Sequence, residues 1–237
     1  MTTKTFMTRG IELLALVVTL PLLTSCGPRE VVRFPDGVNL LRNGGFETGQ
    51  FDPDPNRVMR VSPNDSTTID GWTVTGNATQ NVVWLENGNG PGIITQDGKR
   101  FLDLTGEPDP PNPPFQGVMQ HFPTTIGFQY RVAFVLGATK NFGDTIAVTV
   151  SWSTGPNQQN HVDLACGPVV LPGDPFQWTP DPGPGPEIVA GACDVRFKAT
   201  AAESYLRIFG SRGRRYIGLD RVSVECVAPL GRHALCN

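Results

Sequence analysis

The sequence predicts an all-β protein, a single-domain antiparallel β-sandwich or jelly roll, and three observations lead to this fold class. Short runs of strand-forming residues recur after residue 26, and no stretch there keeps a helical period. The 27 glycines and 22 prolines in 237 residues predict many turns between these runs. Charged residues make up only 17% of the chain, which is typical of a β-rich exported protein rather than a helical one.

Ten short runs are the predicted strands of this sandwich. Two of them, 130–136 and 145–152, place a large apolar side chain at every second position, as a strand does when one face packs on a core. Two Pro-rich stretches, 106–117 with its five prolines and 171–186, are predicted loops, because proline donates no hydrogen bond to a sheet. In chain order, the ten runs are residues 38–41, 72–74, 81–85, 100–104, 118–122, 130–136, 145–152, 193–198, 205–209 and 217–226.

The N-terminus resembles the signal peptide of a bacterial lipoprotein. An apolar run over residues 11–23 follows two basic residues, and the small residues Thr24 and Ser25 then precede Cys26. The run is shorter than the roughly 20 residues that a membrane-spanning helix needs. The resemblance implies cleavage before Cys26 and attachment of lipid to its thiol. The alternative is an ordinary secretory signal with a chance cysteine.

The lipoprotein interpretation places the chain in the bacterial cell envelope, exported and held by lipid on the outer membrane or the cell surface. Several acyl chains on one residue anchor firmly, since each buried CH₂ group adds about 0.8 kcal/mol. The predicted parts are the signal peptide over residues 1–25, the lipid anchor and tether over 26–36, the β-sandwich domain over 37–227 and a C-terminal tail over 228–237.

If Cys26 carries the lipid, four cysteines remain, and an even number in an oxidising compartment predicts two disulfides. Three pairings of four cysteines are possible. We favour Cys166 with Cys193 and Cys226 with Cys236, because these pairs close the shortest loops. A metal or redox role is disfavoured, because the chain has no C-x-x-C motif and no histidine at zinc-ligand spacing from a cysteine pair.

Seven short motifs follow one another between residues 38 and 227. They are NLLRNGGFETG at 39–49, GWTV at 71–74, VW at 83–84, FLDLTG at 101–106, GVMQ at 117–120, a glycine and YRVAF at 127–134, and GLDRVSV at 218–224. In this order they resemble the DUF642 group and its bacterial relatives, the choice-of-anchor C proteins. More distantly they are similar to the calcium-containing, galactose-binding-like carbohydrate-binding modules. The resemblance implies a galactose-binding-like jelly roll at the cell surface, with glycan or cell-wall binding.

Glu47 and Asp220 are the candidate ligands of a structural calcium ion. Asp220 shares one strand face with two core-like valines, so we expect it to point inward, where a carboxylate needs a partner. In the related modules, the glutamate and aspartate of these two motifs resemble calcium ligands. Backbone carbonyls near Asn43 would then complete the six to eight oxygens that calcium prefers. The alternative is that main-chain amides or a nearby arginine satisfy the two carboxylates.

Three aromatic residues are candidates for a sugar-binding surface, because sugar recognition uses an exposed ring with polar groups around it. Trp178 lies in the Pro-rich stretch 171–186, and packing over the disulfide is its alternative role. Trp84 ends an apolar run beside polar residues, and Tyr216 lies next to a basic loop. A solvated loop remains the alternative interpretation of that basic segment.

The sequence predicts no catalytic activity and no organic cofactor. It contains no H-E-x-x-H, no G-x-S-x-G and no Gly-rich phosphate loop between a strand and a helix. A glycosidase needs two carboxylates facing each other across a cleft. Glu47, Asp103 and Asp220 can be paired on paper, but they occupy motif positions that the resemblance makes structural. A net charge of −3 gives no electrostatic reason to expect a nucleic acid as a partner.

The favoured function is that of a lipid-anchored, envelope-facing module that binds carbohydrate or a cell-wall polymer without catalysis. The alternative is a structural or protein-interaction surface lipoprotein whose sandwich docks an envelope protein, and a carbohydrate-active enzyme is third. The predicted partners are therefore the membrane, through lipid at Cys26, and a glycan or an envelope protein. A broad exposed apolar patch would favour the protein partner over the sugar.

Overall fold

A computed structural model describes nine stretches of the chain. The predicted signal peptide, Cys26 and the tether lie outside them, as do the tail with Cys236 and most of the loop 106–117. Within these stretches, the chain contains no helix with the length and apolar character needed to cross a membrane. The described residues are 37–76, 79–88, 94–107, 116–138, 145–157, 162–170, 176–183, 192–213 and 216–227.

The described residues form twelve β-strands, which confirms the all-β fold class. The strands are β1 Val58–Val61, β2 Thr73–Thr75, β3 Asn81–Glu86, β4 Arg100–Glu107, β5 Gly117–Pro123, β6 Gln129–Ala138, β7 Thr145–Ser153, β8 Val162–Val170, β9 Gln177–Trp178, β10 Cys193–Lys198, β11 Glu203–Arg212 and β12 Gly218–Val227. Every predicted run except 38–41 coincides with a strand. The structure adds β1, β8 and β9, which the sequence pattern did not predict.

The strands pair antiparallel in two sheets that face each other across one core. One sheet has seven strands, ordered β1-β3-β4-β12-β6-β10, with β9 paired to the end of β6. The other has five strands in the order β2-β5-β11-β7-β8. Both sheets bury their inner faces, as Phe134 of β6, Val148 of β7 and Ile208 of β11 show with 0% exposure each. The molecule is therefore a two-layer β-sandwich, as the sequence predicts.

The run 38–41 was wrongly predicted as a strand, although it lies beside β12. Leu40 donates one backbone hydrogen bond to the Val224 carbonyl, at 2.8 Å. The side chain of Asn39 makes the neighbouring bonds: its Oδ1 accepts Val224 N–H at 2.9 Å and its Nδ2 donates to the Val222 carbonyl at 3.1 Å. Because a side chain takes the place of a strand backbone, the ladder does not continue.

A disulfide joins Cys166 of β8 to Cys193 of β10, with the two Cα atoms 5.6 Å apart, and confirms that predicted pairing. These strands are the edges of different sheets, so the bond links the two layers of the sandwich. Cys226 is disulfide-bonded as well. Its predicted partner Cys236 lies outside the described residues, and that pairing stays a prediction.

The segment 176–183 packs on the outer face of the seven-stranded sheet. Arg131 of β6, only 1% exposed, donates to two main-chain carbonyls of this segment and to the Asp194 carboxylate, at 2.8–3.0 Å. Phe176 sits over Gly137, a position with no room for a side chain. The seven-stranded sheet thus uses its outer face to hold part of its own chain.

Candidate functional site

The central strand of the five-stranded sheet, β11, presents a line of large side chains at the protein surface. Leu206 and Ile208 point into the core and are fully buried. By strict alternation, Tyr205, Arg207 and Phe209 point to the outer face, where all three are half-buried. The strand therefore displays two aromatic rings with a guanidinium between them.

Neighbouring strands place smaller, mostly polar side chains beside this line. Residues directly opposite each other in an antiparallel pair have Cβ atoms about 4.5–5.5 Å apart, so they form one continuous surface. We call this surface the β11 face. It consists of Tyr205, Arg207 and Phe209, of His121 and Ser153 opposite Tyr205, of Met119 and Ser151 opposite Arg207, of Thr149 opposite Phe209, and of Thr75 and Asp163 on the next strands.

Arg207 is fixed in the middle of the β11 face. Its Nε donates to Thr75 Oγ1 at 2.9 Å, and its guanidinium carbon lies 4.6 Å from the centroid of the Phe209 ring, a cation–π geometry. Burial lowers the pKa of Arg207, and the nearby charge of Asp163 acts in the opposite direction. The guanidinium remains a cation at neutral pH, because the unperturbed pKa of arginine lies far above neutrality.

Two serines of β7 occupy the same face and differ in their hydrogen bonding. Ser151 and Ser153 are both buried, at 2% and 3% exposure. Ser153 Oγ donates to the Gly155 carbonyl at 2.8 Å. Ser151 Oγ has no hydrogen-bond partner within the described parts of the chain. Buried polar groups are nearly always paired, so the unpaired hydroxyl of Ser151 is an exception.

A cavity of about 270 Å³ adjoins one end of the β11 face. It lies between the first loop of the domain and strands β2, β5 and β11, and its lining includes Arg42, Thr73, His121 and Tyr205. The rings of His121 and Tyr205 are 5.5 Å apart, with an angle of 31° between their planes. The β11 face and this cavity together form a surface that is part aromatic and part polar.

The prediction that Trp84 presents its ring to a ligand is wrong. Trp84 is 0% exposed and lies in the core between the sheets. Its indole Nε1 donates to the Phe46 carbonyl at 3.0 Å, and its ring packs edge-on against Phe51. Inside the sandwich, this ring offers no surface to a ligand.

Trp178 and Tyr216 meet in one aromatic cluster on the outer side of the seven-stranded sheet. Both are half-buried and pack against Phe176, with ring centroids 5.2 and 6.2 Å away. Trp178 also packs against Phe101 at 5.3 Å, and its Nε1 donates to the Ile94 carbonyl at 2.8 Å. The structure thus unites two of the three predicted ligand-binding aromatics at a site apart from the β11 face.

The carboxylates of Glu47 and Asp220 are capped by the same loop, which precedes β4. Glu47 Oε1 accepts the N–H groups of Lys99 and Arg100, each at 2.8 Å. Asp220 Oδ2 accepts the N–H groups of Gln96 and Asp97 at 3.2 and 3.1 Å, and its Oδ1 accepts Arg221 N–H at 2.7 Å. Main-chain amides therefore satisfy both carboxylates, which is the alternative that the sequence left open.

Asp97 is an acidic neighbour of Asp220 that the sequence analysis missed. A carboxylate oxygen of each residue faces the space beside Gly45. Burial, opposed by three amide hydrogen bonds and reinforced by the Asp97 charge, raises the pKa of Asp220 to about 7. These oxygens suit calcium in kind, but no group of three or more acidic, histidine or cysteine side chains is placed around one ion position within the described ranges. The calcium ion stays a prediction.

None of the residues of the β11 face was predicted to bind a ligand. The signal was present, because Tyr205, Arg207 and Phe209 alternate with two aliphatic residues and so had to face away from the core. The residues predicted to bind a ligand were instead Trp84, Trp178 and Tyr216. Tryptophan is large and mostly buried, so it is a weak indicator of exposure.

No family model matches this sequence, and no curated protein matches it. Among solved structures, it is similar to TmCBM61 in complex with beta-1,4-galactotriose, with 13% identity, a TM-score of 0.45 and coverage of 80% of this chain and 99% of that one. It is similar to the K2 cleaved adhesin domain of Lys-gingipain, with 12% identity, a TM-score of 0.44 and coverage of 73% and 98%. The xylan-binding domain CBM22-1 of Paenibacillus barcinonensis Xyn10C is 11% identical, with a TM-score of 0.41 and coverage of 72% and 94%. Identities this low carry no statement about what this chain binds.

Proposed function

We propose that this protein is a lipid-anchored module of the bacterial cell envelope that binds carbohydrate through the β11 face, without catalysis. The observation that carries the proposal is the line formed by Tyr205, Arg207 and Phe209 on one exposed strand face. Sugars offer apolar C–H faces and polar hydroxyl edges, so they fit a surface with aromatic planes and interspersed hydrogen-bonding groups.

The dimensions of the β11 face suit an extended oligosaccharide. From Tyr205 to Phe209 the strand rises by about 13 Å, since each residue adds about 3.3 Å. Across the strands, Ser151 and Thr149 offer hydroxyls on one side, and His121 offers its imidazole on the other. A sugar hydroxyl near Ser151 would complete the hydrogen bonding of its buried Oγ.

The acidic side chains of the β11 face favour binding over hydrolysis. Asp163 of β8 lies in the row of Arg207, whose cation it stabilises. Glu203 is exposed at the start of β11, two residues before Tyr205. A glycosidase instead places two carboxylates opposite each other across the scissile bond, one of them as a proton donor. We therefore assign no reaction to this face.

A structural calcium ion at Asp220 is part of the proposal. Asp97 and Asp220 each direct a carboxylate oxygen to the space beside Gly45, and Glu47 and the carbonyls near Asn43 are the candidate remaining donors. When bound, the ion supplies positive charge beside the buried Asp220. These residues join the first loop of the domain to β12, so the role of the site is to hold the fold.

The test of carbohydrate binding is a glycan and cell-wall polysaccharide array probed with the purified protein, followed by titration of the best ligand. We expect Tyr205→Ala and Phe209→Ala to weaken binding by about tenfold or more, a loss of about 1.4 kcal/mol, because each variant removes an aromatic plane against which a sugar ring packs. The matched control is Trp178→Ala, which removes a half-buried aromatic from the other sheet. Unchanged affinity in the two β11 variants, or silence of the whole array, would overturn the proposal.

The second candidate function is docking of an envelope protein on the aromatic cluster of Phe101, Phe176, Trp178 and Tyr216. Ile94, a residue that is 59% exposed, adjoins the cluster, because its main-chain carbonyl accepts the hydrogen bond from Trp178 Nε1. Exposed apolar side chains beside half-buried aromatics are typical of protein contact surfaces. If Trp178→Ala abolished capture of an envelope protein while the array stayed silent, this second function would replace the first.

A further inference from the structure

The cavity beside the β11 face is continuous with it. Tyr205 belongs to both, and Met119 and His121 of β5 line the cavity next to it. A carbohydrate chain lying along β11 therefore reaches the cavity at its Tyr205 end.

Arg42 lines this cavity, and neighbouring residues hold its main chain in place. Gln120 of β5, which is 6% exposed, holds both main-chain groups of Arg42: its Oε1 accepts Arg42 N–H at 2.7 Å and its Nε2 donates to the Arg42 carbonyl at 3.0 Å. Gly71, with a φ of +83°, packs against the same residue. A Cβ atom added at Gly71 would lie 3.3 Å from Arg42 Cβ. The main chain and the Cβ atom of Arg42 are therefore held in place.

The guanidinium of Arg42 has no partner among the described residues. Its side chain is exposed, and within the described ranges it makes no hydrogen bond, ion pair or ring contact. The described residues that line the cavity include Arg42 and His121 but no aspartate or glutamate. Asp65 and Asp70 precede the lining residues Ser66 and Gly71 in the chain, and Glu203 precedes Tyr205 by two residues, but none of these three acids belongs to the lining. This cavity therefore presents cation and donor groups without a counter-charge.

The remaining walls suit a sugar ring. The neighbouring rings of His121 and Tyr205 form an aromatic floor, and Ser66 and Thr73 offer hydroxyls at the edge. An arginine fork binds a carboxylate through two parallel N–H···O bonds, which neutral hydroxyls do not reproduce. A sugar that stacks on the rings of His121 and Tyr205 and directs a carboxylate towards Arg42 would contact both the aromatic and the cationic part of the lining.

We propose that this cavity selects a sugar unit bearing a carboxylate, so that the preferred ligand of the β11 face is an acidic polysaccharide of the polyuronate class. The inference rests on the proposed carbohydrate-binding function and adds a charge preference to it. Arg42 is the residue that recognises the carboxylate, and His121 and Tyr205 position the ring.

The test compares matched ligands that differ only in whether each sugar carries a carboxylate or a primary alcohol. The purified protein is titrated calorimetrically with oligomers of galacturonate, of mannuronate and of hyaluronan, and with the same oligomers after reduction of their carboxyl groups to alcohols. We expect the acidic form of at least one series to bind about tenfold or more tightly, a difference of about 1.4 kcal/mol. Arg42→Gln should remove this preference and leave the affinity for the reduced oligomer unchanged. Arg42→Lys should restore part of it, because it keeps the charge without the fork.

Lys198→Gln is the matched control, since it removes an equal charge from an exposed position on the other sheet. Equal affinity for the acidic and reduced forms would overturn the inference and leave the proposed function standing. A preference that survives in Arg42→Gln, or that Lys198→Gln weakens equally, would overturn the assignment to this cavity. Failure to bind any carbohydrate, acidic or neutral, would overturn the proposed function and this inference with it. An unchanged melting temperature in Arg42→Gln verifies that the variant is folded.

Discussion

Ser151 lies directly across from Arg207 in the β7–β11 pair, and its buried hydroxyl has no hydrogen-bond partner within the described residues. Its neighbour Ser153 is equally buried but donates to a backbone carbonyl. The two serines therefore differ in one respect: the hydroxyl of Ser153 is hydrogen-bonded and that of Ser151 is not.

Replacing each serine by alanine tests this difference. We expect Ser153→Ala to lower the free energy of unfolding by about 1 kcal/mol, because it removes a satisfied hydrogen bond. Ser151→Ala should leave stability unchanged or slightly improved, because it removes an unsatisfied group, and should weaken carbohydrate binding severalfold. Urea denaturation and ligand titration measure the two effects. A loss of stability in Ser151→Ala with unchanged binding would show that this hydroxyl is structural.

Asp220 gives the stability of the protein a pH dependence of known sign. Burial raises its pKa from 3.8 in a free chain to about 7 in the folded protein. The folded state holds this proton more tightly, so the contribution of Asp220 to stability is complete below about pH 4 and is lost as the pH rises towards 7. With a metal chelator present, we expect the melting temperature to fall more steeply over this interval in the wild type than in Asp220→Asn. Parallel pH profiles would contradict the raised pKa.

Calcium should raise the melting temperature of the protein, because an ion that binds only the folded state stabilises it by mass action. Thermal melts with added calcium and with chelator measure the effect. Asp220→Asn and Glu47→Gln should abolish the shift, whereas Asp52→Asn, in an exposed loop, should keep it. An equal melting temperature of the wild type with calcium and with chelator would argue against a bound ion.

Removing the disulfide between Cys166 and Cys193 should destabilise the sandwich. The two residues are 27 positions apart, and a loop of this size corresponds to roughly 3–4 kcal/mol of unfolding free energy. The double variant Cys166→Ala/Cys193→Ala is compared with the wild type in urea, without reductant. An unchanged unfolding midpoint would mean that the sheets hold together without this link.

Cys26→Ala should release the protein from the membrane fraction, because the predicted lipid attaches to this thiol. Fractionation of the producing cells and labelling with a radioactive fatty acid measure the anchor. Cys26→Ser is a second variant that keeps the size of the side chain. Lipid labelling that persists in both variants would contradict the lipoprotein prediction.

The strands that the sequence predicted are those with a regular apolar alternation facing one core. β6 and β7 could be predicted from the sequence for this reason. β8 was missed because Gly167 and Pro168 in its middle are typical of a turn, and its pairing with β7 shifts register nearby. Alternation also fails for β3, where residues 82 to 85 are all buried because the segment 176–183 covers the outer face.

The sites were harder to predict, because they depend on contacts between distant residues. Asp97 and Asp220 are 123 positions apart and meet through a loop that has no regular pattern. The side chain of Gln120 and the main chain of Arg42, which are hydrogen-bonded to each other, are 78 positions apart. The outward direction of Tyr205 and Phe209, by contrast, depends only on their own strand. This part of the candidate site was therefore accessible from the sequence.

The bond between Cys166 and Cys193 also bears on mechanical load. The N-terminal segment that would lead to the anchor is hydrogen-bonded to β12 through Asn39 and Leu40, in the seven-stranded sheet, whereas the β11 face belongs to the other sheet. Tension between a tethered cell and a bound polymer would therefore act as shear between the two layers. Dispersion contacts in the core resist such sliding only weakly one by one. The covalent link between β8 and β10 would make the two layers move together under such a load, so that the contact with a bound polymer would break before the sandwich unfolds.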